Sequence, residues 1–158
     1  MNQLIQQAAT KYLPFDWRIF QALVFQESRF DPLAVSYAGA KGLAQIMPDT
    51  FAQWSNSKDI FDPEANLAVG AKYLGWLYGQ WTADRPEADR IALALASYNA
   101  GLGHLLSSQR LAGGSPAYSD IIARLPEVTG HANAEQTANY HKHIMGHYAE
   151  FIANPDHK

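Results

Sequence analysis

Most of the eight prolines in this chain stand where a helix should begin or end, and between them apolar residues recur at helical spacing. Strand-like alternation is nearly absent. Asp62-Pro63-Glu64 is the clearest start. It combines a side-chain cap, a proline at the position that needs no N–H, and a carboxylate at the positive end of the helix dipole. That helix is expected to reach Trp81. Pro86-Glu87 opens another through Ile91, Leu93, Leu95 and Ala96, ending near Gly101. Pro48 starts a short one through Trp54, and Pro116 one to Leu125. Upstream, Leu4, Ile5, Ala8 and Ala9 mark one face of a helix from Asn2 to Tyr12, broken at Pro14. Asp16 should cap a second helix carrying Ile19, Phe20, Leu23 and Val24, with Asp31-Pro32 ending it because the residue before proline avoids helical geometry. Residues 32–47 read as a loop with at most a short strand pair, turned at Gly39 and Gly42. Gly113-Gly114-Ser115-Pro116 is a surface loop, and a last long helix runs from Asn133 to Phe151. The expectation is a mainly α single domain over residues 1–158, with about seven to nine helices and at most one short β-hairpin.

Composition narrows the function. Charged residues are 17% of the chain and the net charge is −3, so no basic stripe for nucleic acid is present. Cysteine is absent, which excludes a disulfide scaffold and thiolate metal sites. His143 and His147 have the i, i+4 spacing that can hold zinc, but no His-Glu-x-x-His pattern surrounds them. His141, His143 and His147 read better as a solvated or half-buried helix face, and His104 and His131 as loop or helix-end residues. No metal or cofactor is expected. No Gly-x-Ser-x-Gly elbow or phosphate-cradling glycine loop is found. Phe20, Tyr73, Trp76 and Leu77 fit core stripes, while Tyr37 and Trp54 fit a core or a binding groove equally well.

Three short segments carry chemistry: Glu27-Ser28 late in an apolar helix, Gly42-Leu43-Ala44-Gln45-Ile46-Met47-Pro48 after a glycine-containing loop, and Ser97-Tyr98-Asn99-Ala100-Gly101. A carboxyl sheltered by apolar groups keeps its proton near neutral pH and can protonate a poor leaving group. Leu23, Val24, Phe25 and Phe30 give Glu27 such neighbours in sequence. Taken alone, Glu27 reads better as an exposed helix-end residue paired with Arg29 or Lys41, and it is the downstream segments that reverse this reading.

In this order and spacing the segments resemble the lytic transglycosylases, of the soluble lytic murein transglycosylase type within the goose-type lysozyme-like superfamily. The resemblance spans about residues 10 to 150. It implies a lysozyme-like fold with a glycan cleft and cleavage of the β-1,4 bond between N-acetylmuramic acid and N-acetylglucosamine in peptidoglycan. Glu27 is then the one catalytic carboxyl, first acid and then base. Ser28, Ser36, Gln45, Met47, Tyr98, Asn99 and Tyr140 match the family's substrate-side residues. Goose-type lysozymes hold aspartates where Ser36 and Met47 stand here, so a second catalytic carboxylate is missing at those positions. Asp31 and Asp49 read as a helix end and a helix first turn. A lone carboxyl suffices if the sugar's own 2-acetamido group stabilises C1 and its 6-hydroxyl closes a 1,6-anhydro ring.

Two positions depart from the family pattern. Ala44 replaces the usual methionine before the glutamine, and Gln136-Thr137-Ala138-Asn139-Tyr140 replaces Glu-Thr-x-x-Tyr, with Glu135 one place early. A hydrolytic goose-type lysozyme, a non-catalytic wall-binding module and a helical metalloprotein remain as alternatives. Met1 to Leu13 lack a basic segment with an apolar one after it, so no secretory signal is expected, and no apolar run would span a bilayer. Such an enzyme would be made in the cytoplasm and reach the periplasmic wall as phage lysis or particle proteins do, unless the chain is a signal-stripped or excised domain. The oligomeric state stays open.

Overall fold

The computed structural model describes residues 1–154. Among them are eight helices: α1 (Asn2–Tyr12), α2 (Trp17–Ser28), α3 (Pro48–Trp54), α4 (Pro63–Gln80), α5 (Glu87–Ala100), α6 (Leu102–Leu111), α7 (Tyr118–Thr129) and α8 (His131–Ala153). Extended pairing is confined to two single-residue antiparallel bridges, Val35 with Lys41 and Lys41 with Ile46. The mainly α expectation holds, as do the bounds of α1 and α3. Among the described residues no helix is long and apolar enough to cross a membrane.

The chain divides into two compact units, one of Met1–Tyr73 with the segment from Ile144 onward, the other of Leu74–His143. In the first, α1 packs on α2. Ile5 and Ala9 of α1 and Ile19, Phe20, Leu23 and Val24 of α2 are buried. Asp16 caps α2 as expected: its Oδ1 accepts from the Arg18 amide at 3.0 Å, and its Oδ2 accepts from the Tyr148 hydroxyl at 3.2 Å. The Arg18 side-chain hydrogen bond is the main reason the Asp16 carboxyl is held below its ordinary pKa. Asp62 caps α4 through the Ala65 amide at 2.7 Å.

In the second unit Trp81, Leu93, Ala96, Leu105, Ile121, Leu125 and Ala134 form one apolar cluster. The indole N–H of Trp81 donates to Ser97 Oγ at 3.2 Å, and α6 and α7 make a helical hairpin.

Four expectations need correction. Helix α2 stops at Ser28 rather than at Asp31-Pro32, because Arg29 (φ 55) and Phe30 (φ 64) are left-handed. Segment 102–111, where the sequence pattern predicts no helix, is α6; Gly101 (φ 90) both ends α5 and begins it. Helix α7 begins at Tyr118, not Pro116, and runs through Pro126 to Thr129. Packing of Leu125 and Val128 on the cluster outweighs the bond that Pro126 cannot make. Trp76, expected in the core, is 42% exposed.

Candidate active site

Glu27 lies in the last turn of α2 and is half-buried. The chain just beyond it has the most strained backbone among the described residues. The three non-glycine residues with positive φ there are Arg29, Phe30 and Gln45 (φ 50), all between Glu27 and Met47. Left-handed backbone costs a residue with a Cβ about 1 to 2 kcal/mol, so side-chain contacts must hold it. Phe30 supplies them. Its ring lies 5.2 Å from that of Phe25 and 6.3 Å from that of Phe151, and Phe25 also meets His147 edge-on at 4.8 Å. The Arg29 guanidinium covers the Phe25 ring at 4.4 Å, and Lys41 reaches over Phe61 at 5.8 Å.

Ser28 is buried and its hydroxyl donates to the Val24 carbonyl at 3.1 Å. Asp31 is exposed and accepts from the Leu33 amide at 2.9 Å, which secures the turn after α2. Asp49 is exposed in the first turn of α3. Asp49 therefore sits where the sequence placed it, in a helix first turn, whereas Asp31 lies in the turn beyond the end of α2 rather than at the helix end.

The loop from Asp31 to Met47 is tied at every stage. Ser36 Oγ accepts from the Ala40 amide at 3.0 Å, and the Ser36 amide donates to the Ala40 carbonyl at 2.9 Å. This tight turn carries Tyr37 fully into solvent. The Gln45 side-chain nitrogen donates to the carbonyls of Gly42 at 2.9 Å and Ala34 at 3.2 Å. Met47 is 46% exposed at the start of α3. Sequence reasoning missed Asn66 of α4, which is fully buried and bonded to this loop: its Oδ1 accepts from the Ala44 amide at 2.8 Å and its Nδ2 donates to the Lys41 carbonyl at 3.0 Å. Its only signal in the sequence is an amide side chain set among apolar neighbours. The first unit thus gathers Glu27, Ser28, Ser36, Gln45 and Met47 on α2 and the segment that leads to α3.

The second unit holds Tyr98, Asn99 and Tyr140. Tyr98 and Asn99 are half-buried in the last turn of α5, and Tyr140 is buried on α8. Asn99 Oδ1 stands 2.9 Å from the Thr137 hydroxyl. A concavity of about 450 Å³ opens beside it, walled by Asn99, His104, Thr129, Asn133, Gln136 and Thr137 among others. Its polar groups are amides and hydroxyls, with one imidazole. His104 Nδ1 sits 2.7 Å from the Ala100 carbonyl, so that nitrogen carries the proton.

The family model described as the Transglycosylase SLT domain matches residues 3–121. Membrane-bound lytic murein transglycosylase F of Vibrio vulnificus is 34% identical over 154 residues, covering 89% of this chain and 29% of that protein. The protein of the same name from Alcanivorax borkumensis is 39% identical over 126 residues, covering 77% and 27%. The chain therefore spans less than a third of these relatives' length. Among solved structures, the 70-kDa soluble lytic transglycosylase in complex with bulgecin A superposes with a TM-score of 0.76 at 24% identity, over 99% of this chain and 25% of that one. An inactive mutant of the lytic transglycosylase Slt from Pseudomonas aeruginosa gives a TM-score of 0.73 at 23% identity, over 96% and 24%. The expected lysozyme-like helical fold is the fold these structures share, and by the match over most of its length this chain belongs to the Transglycosylase SLT domain family.

Proposed function

We propose that this chain is the catalytic domain of a peptidoglycan lytic transglycosylase, with Glu27 as its single acid and base. The observation that carries the reading is the placement of Glu27. It is a half-buried carboxyl at the end of α2, directly before a strained, heavily hydrogen-bonded loop that bears Ser36 and Gln45. Strain held in place by surrounding contacts is what pre-organised sites display. Asp31 and Asp49, the carboxylates at the two ends of that loop, have turn and helix-start roles, and Asp16 caps α2. A mechanism with one carboxyl fits that set better than a two-carboxylate one.

In the proposed reaction the Glu27 carboxyl donates its proton to the glycosidic oxygen as the C1–O bond breaks, and N-acetylglucosamine leaves with a new hydroxyl. The 2-acetamido oxygen of muramic acid stabilises the positive charge at C1. The Glu27 carboxylate then takes the proton of the 6-hydroxyl, whose oxygen bonds to C1. The product is a 1,6-anhydro ring, no water is consumed, and Glu27 ends protonated as it began. Ser28, Ser36, Gln45, Met47, Tyr98, Asn99 and Tyr140 are the proposed substrate-side residues, by resemblance to the family. Uncharged amides and hydroxyls around Asn99 suit sugar hydroxyl and acetamido groups, which need hydrogen bonds rather than ion pairs. The names of the relatives, and the existence of an inactive glutamate-to-glutamine form of the Pseudomonas aeruginosa protein, support the same chemistry. The bacterial cell wall is the proposed place of action.

Digestion of purified peptidoglycan and mass spectrometry of the products test this. Anhydro ends from the wild-type chain, and none from Glu27→Gln that still binds the wall, are the expected result. Reducing ends carrying an added water would instead make the enzyme a hydrolase. Equal clearing by both proteins would remove Glu27 from the mechanism.

A further inference from the structure

We propose that Asn66 is a positioning residue that fixes the Gly42–Ile46 turn so that Gln45 offers its carbonyl oxygen, and not its amide hydrogens, to the glycan. The proposal rests on the functional reading above. Asn66 is 0% exposed. Its side chain joins three separate backbone positions: Oδ1 accepts from Ala44 at 2.8 Å, and Nδ2 donates to Lys41 at 3.0 Å and to Ile60 at 2.9 Å. An amide has two N–H bonds, and both are used. The orientation is fixed by chemistry, because a flipped amide would set its oxygen against two carbonyls and its nitrogen against an N–H. The Lys41 carbonyl also accepts from Ile46 at 3.0 Å, so Asn66 grips the bridge that closes the turn.

Gly42 is shaped to this contact. A Cβ on it would stand 2.4 Å from Asn66 Nδ2, and its φ is +76. Within the turn so held, Gln45 is left-handed and donates its two amide hydrogens to Gly42 and Ala34. The group that remains to meet a ligand is an acceptor. Its partner on the substrate is therefore a donor, a sugar hydroxyl or the N–H of an acetamido group.

The test compares wild type, Asn66→Asp, Asn66→Ala and Glu27→Gln for turnover of soluble glycan strands, with hydrogen exchange at the Ala44 and Ile46 amides measured alongside. Asn66→Asp keeps the acceptor for Ala44 but sets an oxygen against Lys41 and Ile60. It should raise KM roughly tenfold or more, since misplacement by about 1 Å has effects of that size, with a smaller change in kcat. Lowering the pH should return Asn66→Asp toward wild type as the introduced carboxyl regains a proton to donate; Asn66→Ala should show no such return. Both variants should exchange Ala44 and Ile46 faster. Should Asn66→Asp fail to fold, Gly42→Ala crowds the same amide from the other side and reads the same KM. A lower melting temperature with unchanged KM overturns the proposal and leaves Asn66 with a purely structural part, as does unchanged exchange. Absence of product from the wild type overturns the functional reading and the substrate half of this proposal with it, and exchange alone then decides whether Asn66 clamps the turn.

Discussion

The rings of Tyr118 and His141 pack with centroids 5.0 Å apart and planes tilted by 54°, and burial drives both toward their neutral forms. Burial pushes the Tyr118 phenol up to about 12. It lowers His141, with Lys142 adding to the effect and Asp89 opposing it. The same Asp89 accepts from the Tyr118 amide at 3.0 Å. A phenol whose folded pKa is raised contributes stability that is complete below its unfolded value and lost as pH rises between ~10 and ~12. An imidazole whose folded pKa is lowered contributes stability that is complete above ~6.5 and lost as pH falls through the folded value. One ring pair thus limits the stability plateau on both sides. Denaturant titrations across pH should show Tyr118→Phe losing roughly 2 to 3 kcal/mol less than wild type over the alkaline limb, and His141→Gln showing a flatter acid limb. Identical limbs in wild type and variants would assign the titration to other groups.

Gly42 and Gly39 lie in the same loop with similar φ, +76 and +92, but only Gly42 is crowded, by Asn66. Gly39 has nothing within 4 Å of an added Cβ. Gly39→Ala should therefore cost only the left-handed strain, about 1 to 2 kcal/mol. Gly42→Ala should cost more, since Asn66 would have to leave its three hydrogen bonds. In a double-mutant cycle the Gly42→Ala penalty should shrink in an Asn66→Ala background, because contacting residues couple. Thermal denaturation reads both, and additive effects would place the steric conflict elsewhere.

Ser97 Oγ receives the Trp81 indole N–H at 3.2 Å and donates to the Leu93 carbonyl at 2.7 Å. Trp81 is 1% exposed, so Ser97→Ala leaves its N–H buried and unmatched. The cost should be about 1 to 3 kcal/mol, a fall in melting temperature of roughly 3 to 10 °C for a chain of this size. Ser97→Cys keeps a weak acceptor in place and should fall between the two. A melting temperature unchanged in Ser97→Ala would mean the indole finds another partner.

These contacts mark what the sequence could and could not convey. Capped and proline-opened helices were legible because their signals are local: Asp16, Pro48 and Asp62 each stand where they were read. So was the loop with its turns at Gly39 and Gly42. The end of α2 was not, because two left-handed residues stop it, and Phe30 is held there by rings on α2 and α8. Helix α6 was missed because Gly101 and Gly113 read as breakers, whereas Leu105 is anchored in the apolar cluster. Candidate site residues were found through motif spacing. Asn66 escaped because its role depends on backbone groups 22 and 25 residues away, which no local pattern reports.

Thr137 Oγ1 lies 2.9 Å from Asn99 Oδ1 and 3.0 Å from the Asn133 carbonyl. A hydroxyl has one hydrogen and cannot donate to both. The i−4 carbonyl is its usual partner on a helix. Donation to Asn99 Oδ1, the shorter of the two contacts, instead braces the Asn99 amide at the edge of the concavity and leaves its N–H groups as the donors there. Thr137→Val preserves shape and removes the hydroxyl, so Asn99 loses its brace. Stability should fall by about 1 kcal/mol, and kcat/KM on glycan strands by several-fold, chiefly through KM. Thr137→Ser should restore both. The side-chain amide proton resonances of Asn99 should shift in Thr137→Val and return in Thr137→Ser. If they stay put and turnover is unchanged, Asn99 is held by something other than Thr137, and the donor at this edge of the concavity must be sought elsewhere.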